Sequence, residues 1–141
     1  MVSGTATSSL TKESKPLRLT KEVLGFELVV TAAQMGEDWL VTVTGGDTPH
    51  IGTTSFAWMD EGELVLKSLV CPTHKDHIVG EHYARTLAPL VKSRVLVVAG
   101  IHYDGITTEH IAHVVEASSC LLNELVHLLS LHLQQRDTIT I

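Results

Sequence analysis

"VLVVAGIHYDGITTEHI", residues 95–111, changes character twice within one short stretch. Its opening run is continuously apolar, and with Arg94 before it this run predicts a strand over 94–100 buried on both faces. "GIHYDG" then crowds two glycines, His102 and Asp104 into a turn, and "TTEHI" opens a helical pattern. A buried strand that empties through such a loop into a helix is where layered α/β folds place ligands.

Downstream, a long helix is expected from Thr108 to about Gln135. Ile111, Val114, Val115, Ser118, Leu121, Leu122, Leu125 and Leu129 form one stripe along it. Thr107 is placed to cap its start, and Glu109 sits at the positive end of the helix dipole. Leu128, Leu131 and Leu133 widen the apolar surface, as either a partner or a deep place in the core would require. Upstream, Ile78, Val79, Tyr83, Leu87 and Leu90 recur at helical spacing between 76 and 91, with Pro89 in the last turn.

Before that helix, "GFELVVTAAQ" (25–34) and "DWLVTVTGG" (38–46) read as a hairpin across "MGE". "TTSFAWM" (53–59) and "ELVLKSLV" (63–70) form a second pair across "DEG". The order ββββαβα predicts an α+β domain: a mixed, largely antiparallel sheet with two helices packed on one face. Residues 1–16, rich in Ser, Thr and Lys, read as a disordered tail, leaving a single domain over 17–141.

Composition excludes several classes. The 141 residues carry a net charge of −6, against the basic footprint of a nucleic-acid binder. Cys71 and Cys120 are far apart and match neither a disulfide framework nor a CxxC metal site. No run reaches about 18 uninterrupted apolar residues, and the first residues lack a signal-peptide core, so a soluble, cytoplasmic protein is expected. Nine histidines stand out, because imidazole changes charge near neutral pH, binds metals and donates to anions.

Three polar segments hold the candidate chemistry. In "GGDTPHIGTTS" (45–55), Gly45, Gly46 and Gly52 permit close backbone approach and Pro49 stiffens the turn that aims His50. Thr53, Thr54 and Ser55 offer hydroxyls to a ribityl or phosphate group. In "CPTHKDH" (71–77), Lys75 is the best charge partner for a phosphate, His74 and His77 flank it, and Asp76 reads as a helix cap. In "GIHYDGITTEH" (100–110), the helix start with the Thr107 and Thr108 hydroxyls suits a phosphate or carboxylate.

Each has a plainer explanation. The glycines turn a hairpin equally well, Asp104 suits an Asx turn, and His50 suits a satisfied loop histidine. His110 and His113 fit a polar stripe better than a metal pair, and His127 and His132 lie among leucines as structural or interfacial residues. An enzyme alternative is a small metal-dependent hydrolase, with His50, His102 and Asp104 as two imidazoles and a carboxylate activating water. No HExxH motif supports it, and Cys71 has no base arrangement for nucleophilic catalysis.

Taken together, the "GGDTPHIGTTS" turn, "HKDH" followed by "GEHYARTLA", and "VLVVAGIHYDGITTEHI" resemble the LpdD-like family. These are small D subunits of gallate and hydroxyarylic acid decarboxylases, described as prenylated-flavin chaperones. The likeness runs from about Phe26 to Leu129. It implies a non-catalytic chaperone that binds prenylated FMN, or FMN, and assists maturation of a UbiD-type aromatic acid decarboxylase. The implied partners are the decarboxylase large subunit and a UbiX-type flavin prenyltransferase, and the wide apolar surface of the last helix adds the expectation of further copies of the chain in a homo-oligomer. A purely structural decarboxylase subunit is the remaining alternative.

Carried over position by position, the resemblance marks Gly45, Gly46, Asp47, His50 and Gly52 in the first motif. His74, Lys75 and Asp76 follow in the second, and Gly100, His102, Asp104 and Thr107 in the third. With the neighbouring Thr53 and Thr108, all of these except Asp76 form the expected cofactor site. Trp58, Tyr83 or Tyr103 would cover the flavin ring. No metal is expected; one that bound would use His50, His102 and Asp104.

Overall fold

Alternating burial along the chain builds one six-stranded sheet. The computed structural model describes residues 15–72 and 76–137. Strands β1 (Leu17–Val23), β2 (Phe26–Met35) and β3 (Asp38–Gly46) form an antiparallel meander, and β4 (Thr53–Asp60) and β5 (Glu63–Val70) a hairpin. Helix α1 (His77–Val91) then crosses back, and β6 (Val95–His102) slots between β3 and β4 before the long helix α2 (Thr108–Asp137). The strand order is β1-β2-β3-β6-β4-β5, with β6 parallel to β3 and antiparallel to β4.

The α+β class, the mixed sheet and the two helices match expectation, with one strand more at the front. β1, "LRLTKEV", has exposed Arg18, Thr20, Lys21 and Glu22 between half-buried leucines. Charge of this kind is what an edge strand carries, and it hides the strand from a search for apolar runs. The Leu24–Gly25 and Glu61–Gly62 turns both take positive φ at two successive residues, the geometry that matches strand twist in tight hairpins. The tail expected over 1–16 lies, up to residue 14, outside the described residues.

The core fills the space between the sheet and both helices. Leu28, Val30, Val41, Val43, Val95 and Val97 point inward from the central strands, and all are buried. Tyr83, Leu87 and Ala88 meet them from α1, and Leu121, Leu122, Leu125 and Leu129 from α2. The Tyr83 hydroxyl donates to the Ser118 carbonyl at 2.5 Å and ties the helices together. By length and apolarity α2 would also suit a membrane span, but its leucine stripe is spent on this core.

Two expectations change. β6 is buried on one face only: Val95, Val97 and Ala99 are enclosed, whereas Leu96 and Val98 are half-buried on the opposite side. Both helices lie on the same face, so a continuous apolar run here does not mean two covered faces. On α2, Ile111 and Val115 of the expected stripe are exposed, and Ala117 joins Ser118 in facing inward.

Candidate functional site

Because β3 and β6 run parallel in register, Gly46 and His102 finish side by side at their carboxyl ends. The turn after β3 folds back over the end of β6. Asp47 N–H donates to the His102 carbonyl at 2.9 Å, His50 N–H to Gly100 O at 3.4 Å, and Gly52 N–H to Ala99 O at 3.0 Å. Two glycines permit this closeness. A Cβ on Gly100 would overlap the His50 carbonyl, and one on Gly46, whose φ is +84°, would overlap the His102 carbonyl.

The first half of the cluster is built on Asp76. It stands at the N-cap position of α1 without making a side-chain cap hydrogen bond. Its carboxylate instead accepts the Ile101 N–H at 3.1 Å on Oδ1 and lies 3.3 Å from His50 Nε2 on Oδ2. His50 Nδ1 faces the Thr48 carbonyl at 3.0 Å, so both ring nitrogens meet acceptors. A cap was the expectation; a strut between three segments is what this buried carboxylate forms. The signal was present in its place beside His74 and Lys75, but its target lay in another segment.

The second half joins Asp47, His102 and Asp104. His102 Nε2 and Asp104 Oδ1 are 2.8 Å apart, the Asp104 N–H donates to Asp47 Oδ2 at 2.7 Å, and Thr48 Oγ1 donates to Asp47 Oδ1 at 2.9 Å. The hydrogen bond to Asp104 raises the His102 pKa above the ordinary imidazole value, helped by the charges of Asp104, Asp47 and Asp76. The Asp104 N–H in turn holds the Asp47 carboxyl below its usual range. Donor atoms of Asp47, His102 and Asp104 all lie within 4.8 Å of one another, a spacing open to a cation. His50 is not in that set; its ring stands edge-on to His102 with centroids 6.4 Å apart.

The expected site residues divide accordingly. Gly46, Asp47, His50, Gly52, Gly100, His102 and Asp104 come together. Gly45 instead lies where a Cβ would strike Glu27 and Leu28 of β2, a strand-packing role. Thr53 is buried with its hydroxyl toward Gly80 of α1, and Ser55 bonds Ser68 at 2.9 Å, so neither faces the turn. Thr107 caps α2 as expected, its Oγ1 accepting the His110 N–H at 3.2 Å. Thr108 is exposed in the first turn of α2. His74 and Lys75 lie outside the described residues.

Of the three aromatic residues only Tyr103 comes near this cluster, its ring edge lying against Gly46. Tyr83 is enclosed in the core, and Trp58 lies toward the far end of β4. Tyr103 is buried with its hydroxyl on the Val23 carbonyl at 2.9 Å and its ring edge-on to Phe26. The exposed apolar side chains near the turn are Ile51 (71%), Leu69 (78%) and Val70 (46%), the last paired with Thr53. Elsewhere, His110 and His113 line a cleft of about 460 Å³ with Lys21, Glu22 and Leu24.

Known proteins match this arrangement along most of its length. The family model for the prenylated flavin chaperone LpdD-like domain matches residues 22–130. Protein LpdD of Lactiplantibacillus plantarum is 29% identical over 120 residues, spanning 84% of this chain and 88% of that protein. A solved structure, described as a novel chaperone complex for yeast 20S proteasome assembly, covers 82% of this chain and 94% of its own with a TM-score of 0.56. Its 12% identity speaks for the fold alone. The family match includes all three segments that meet at the end of β3 and β6, and the chain therefore belongs to the prenylated flavin chaperone LpdD-like family.

Proposed function

We propose that this chaperone is a non-catalytic carrier of prenylated FMN that helps mature a UbiD-type aromatic acid decarboxylase in the cytoplasm. A UbiX-type prenyltransferase would supply the cofactor, and the decarboxylase large subunit would receive it. The carrying observation is the convergence of His50 and His102, from two distant segments, to a centroid distance of 6.4 Å at one exposed end of the sheet.

The residues fit the cofactor's parts in different ways. The hydrogen bond to Asp104 raises the His102 pKa, which favours the charged form that donates to a phosphate. Asp47 and Asp104 accept hydrogen bonds and suit ribityl hydroxyls better than a second anion. Ile51, exposed on the turn beside His50, offers apolar surface to the flat ring in place of the expected aromatics. Both imidazoles are pinned by neighbouring carboxylates, as suits holding a cofactor in one orientation. The prenylated flavin supplies chemistry to the decarboxylase; this chain binds, orients and shields it.

Anaerobic titration of the purified chain with FMN and prenylated FMN tests the proposal. His50→Ala or His102→Ala is expected to weaken binding at least tenfold, in keeping with about 1.5–3 kcal/mol for a charged hydrogen bond. A folded chain that binds neither flavin overturns it.

The triad of Asp47, His102 and Asp104 favours one second reading, a metal-dependent hydrolase. Elemental analysis separates the two: stoichiometric zinc, iron or manganese, lost on Asp47→Asn or His102→Ala, supports the enzyme.

A further inference from the structure

The sheet face turned away from the helices breaks the usual rule for an open antiparallel sheet. Such a face normally alternates polar residues toward water. Here the register lines up Leu40, Leu96 and Phe56 in one row across β3, β6 and β4, and Thr42, Val98 and Thr54 in the next. Val29 of β2 extends the apolar surface, and Trp58 packs at a tilt against Phe56, itself 38% exposed, with ring centroids 5.0 Å apart. The Thr31 and Thr42 hydroxyls bond each other, which lowers the cost of covering them. Across β2, β3, β6 and β4 these two rows hold no charge; Arg18 and Lys67 lie on the outermost strands, β1 and β5.

We propose that a second copy of this chain covers the face, packing sheet against sheet about a two-fold axis. A two-fold contact sets a surface against itself, so the surface must not repel its own image. An uncharged middle meets that condition, whereas an unlike charged partner would call for a charged face. The size also fits. At about 4.8 Å between strands and about 3.3 Å per residue, six strands of eight or so residues present roughly 750 Å², of which the charged edge strands β1 and β5 form the rim. Two such faces bury roughly 1,500 Å², within the range of about 1,200–2,000 Å² for specific, stable interfaces. Sandwiched sheets pack about 10 Å apart, a gap that Leu, Val and Phe side chains fill. The inference is independent of whether the chain carries a flavin.

Sedimentation equilibrium of the full chain is expected to give a dimer. Thr42→Glu and Thr42→Lys, near the centre of the face, should each weaken dimerisation at least a hundredfold. Mixing the two should restore a dimer, because opposite charges then meet across the axis. Phe56→Lys, at a more exposed place, gives an independent dissociating variant, and circular dichroism reports that each variant is folded. Val115→Glu, on the outer side of α2 and 44% exposed, should leave the dimer intact. A monomeric wild-type chain overturns the proposal, whether residues 1–14 or another protein covers the face. So does a dimer that survives the face substitutions and falls to Val115→Glu.

Discussion

The carboxylate of Asp76, at the entrance of α1, stands 3.3 Å from the imidazole of His50. Its second oxygen takes the Ile101 N–H, so one buried side chain joins the turn after β3, the end of β6 and the start of α1. The loop cluster thereby becomes a braced unit, and its geometry depends on a residue whose place in the sequence suggested only a helix cap.

Replacing that brace tests its role in stability. Asp76→Ala leaves the Ile101 N–H unpaired and is expected to cost about 1–3 kcal/mol, the usual penalty for an unsatisfied buried donor. Asp76→Asn retains an acceptor and should cost clearly less. Equal losses on chemical denaturation would show that the carboxylate does not act as a strut.

Gly100→Ala probes the close approach of two backbones. The added Cβ would overlap the His50 carbonyl, and an overpacked site of this kind costs about 1–3 kcal/mol. The melting temperature should fall, and flavin binding with it, since His50 must move. An unchanged melt would mean that the turn is free to lift from β6.

The pH dependence follows from two paired groups. The hydrogen bond to Asp104 raises the folded pKa of His102, so this pair's contribution is complete below the unfolded imidazole value and fades as pH rises through the folded one. Flavin affinity should decline over that same range. Asp47 behaves oppositely: its folded pKa is lowered, and its contribution disappears as pH falls through that value. An NMR titration should find His102 titrating above free histidine, with Asp104→Asn bringing it down. A His102 unmoved by Asp104→Asn contradicts the pairing.

At the start of α2, Thr107→Ala removes the hydroxyl that accepts the His110 N–H. A loss of about 1 kcal/mol is expected from a lost N-cap. The dimer should persist, because the cap lies on the opposite side of the sheet from the proposed interface.

Much of the local structure was legible in residue order. Runs of β-forming residues over 38–46 and 63–70 marked strands that the structure places at those positions, and Thr107 marked the cap of α2. These signals are carried by near neighbours: β-formers between turn residues for a strand, a hydroxyl three residues before the amide it caps. β1 escaped because an edge strand's charges mask its alternation, and β6 misled because a run of Val, Leu and Ala has no period to tell one covered face from two.

By itself, then, the amino-acid order determined the elements, their class and the polar segments at their ends. Tertiary structure alone decided which segments meet, since only the parallel pairing of β3 with β6 sets Gly46 beside His102 and brings His50 and Asp76 to the same end. It also decided that Thr53 and Tyr83 turn inward and that the outer face stays apolar and open. Those outcomes rest on contacts between residues far apart in the chain, whose free energy depends on the shape both sides adopt together.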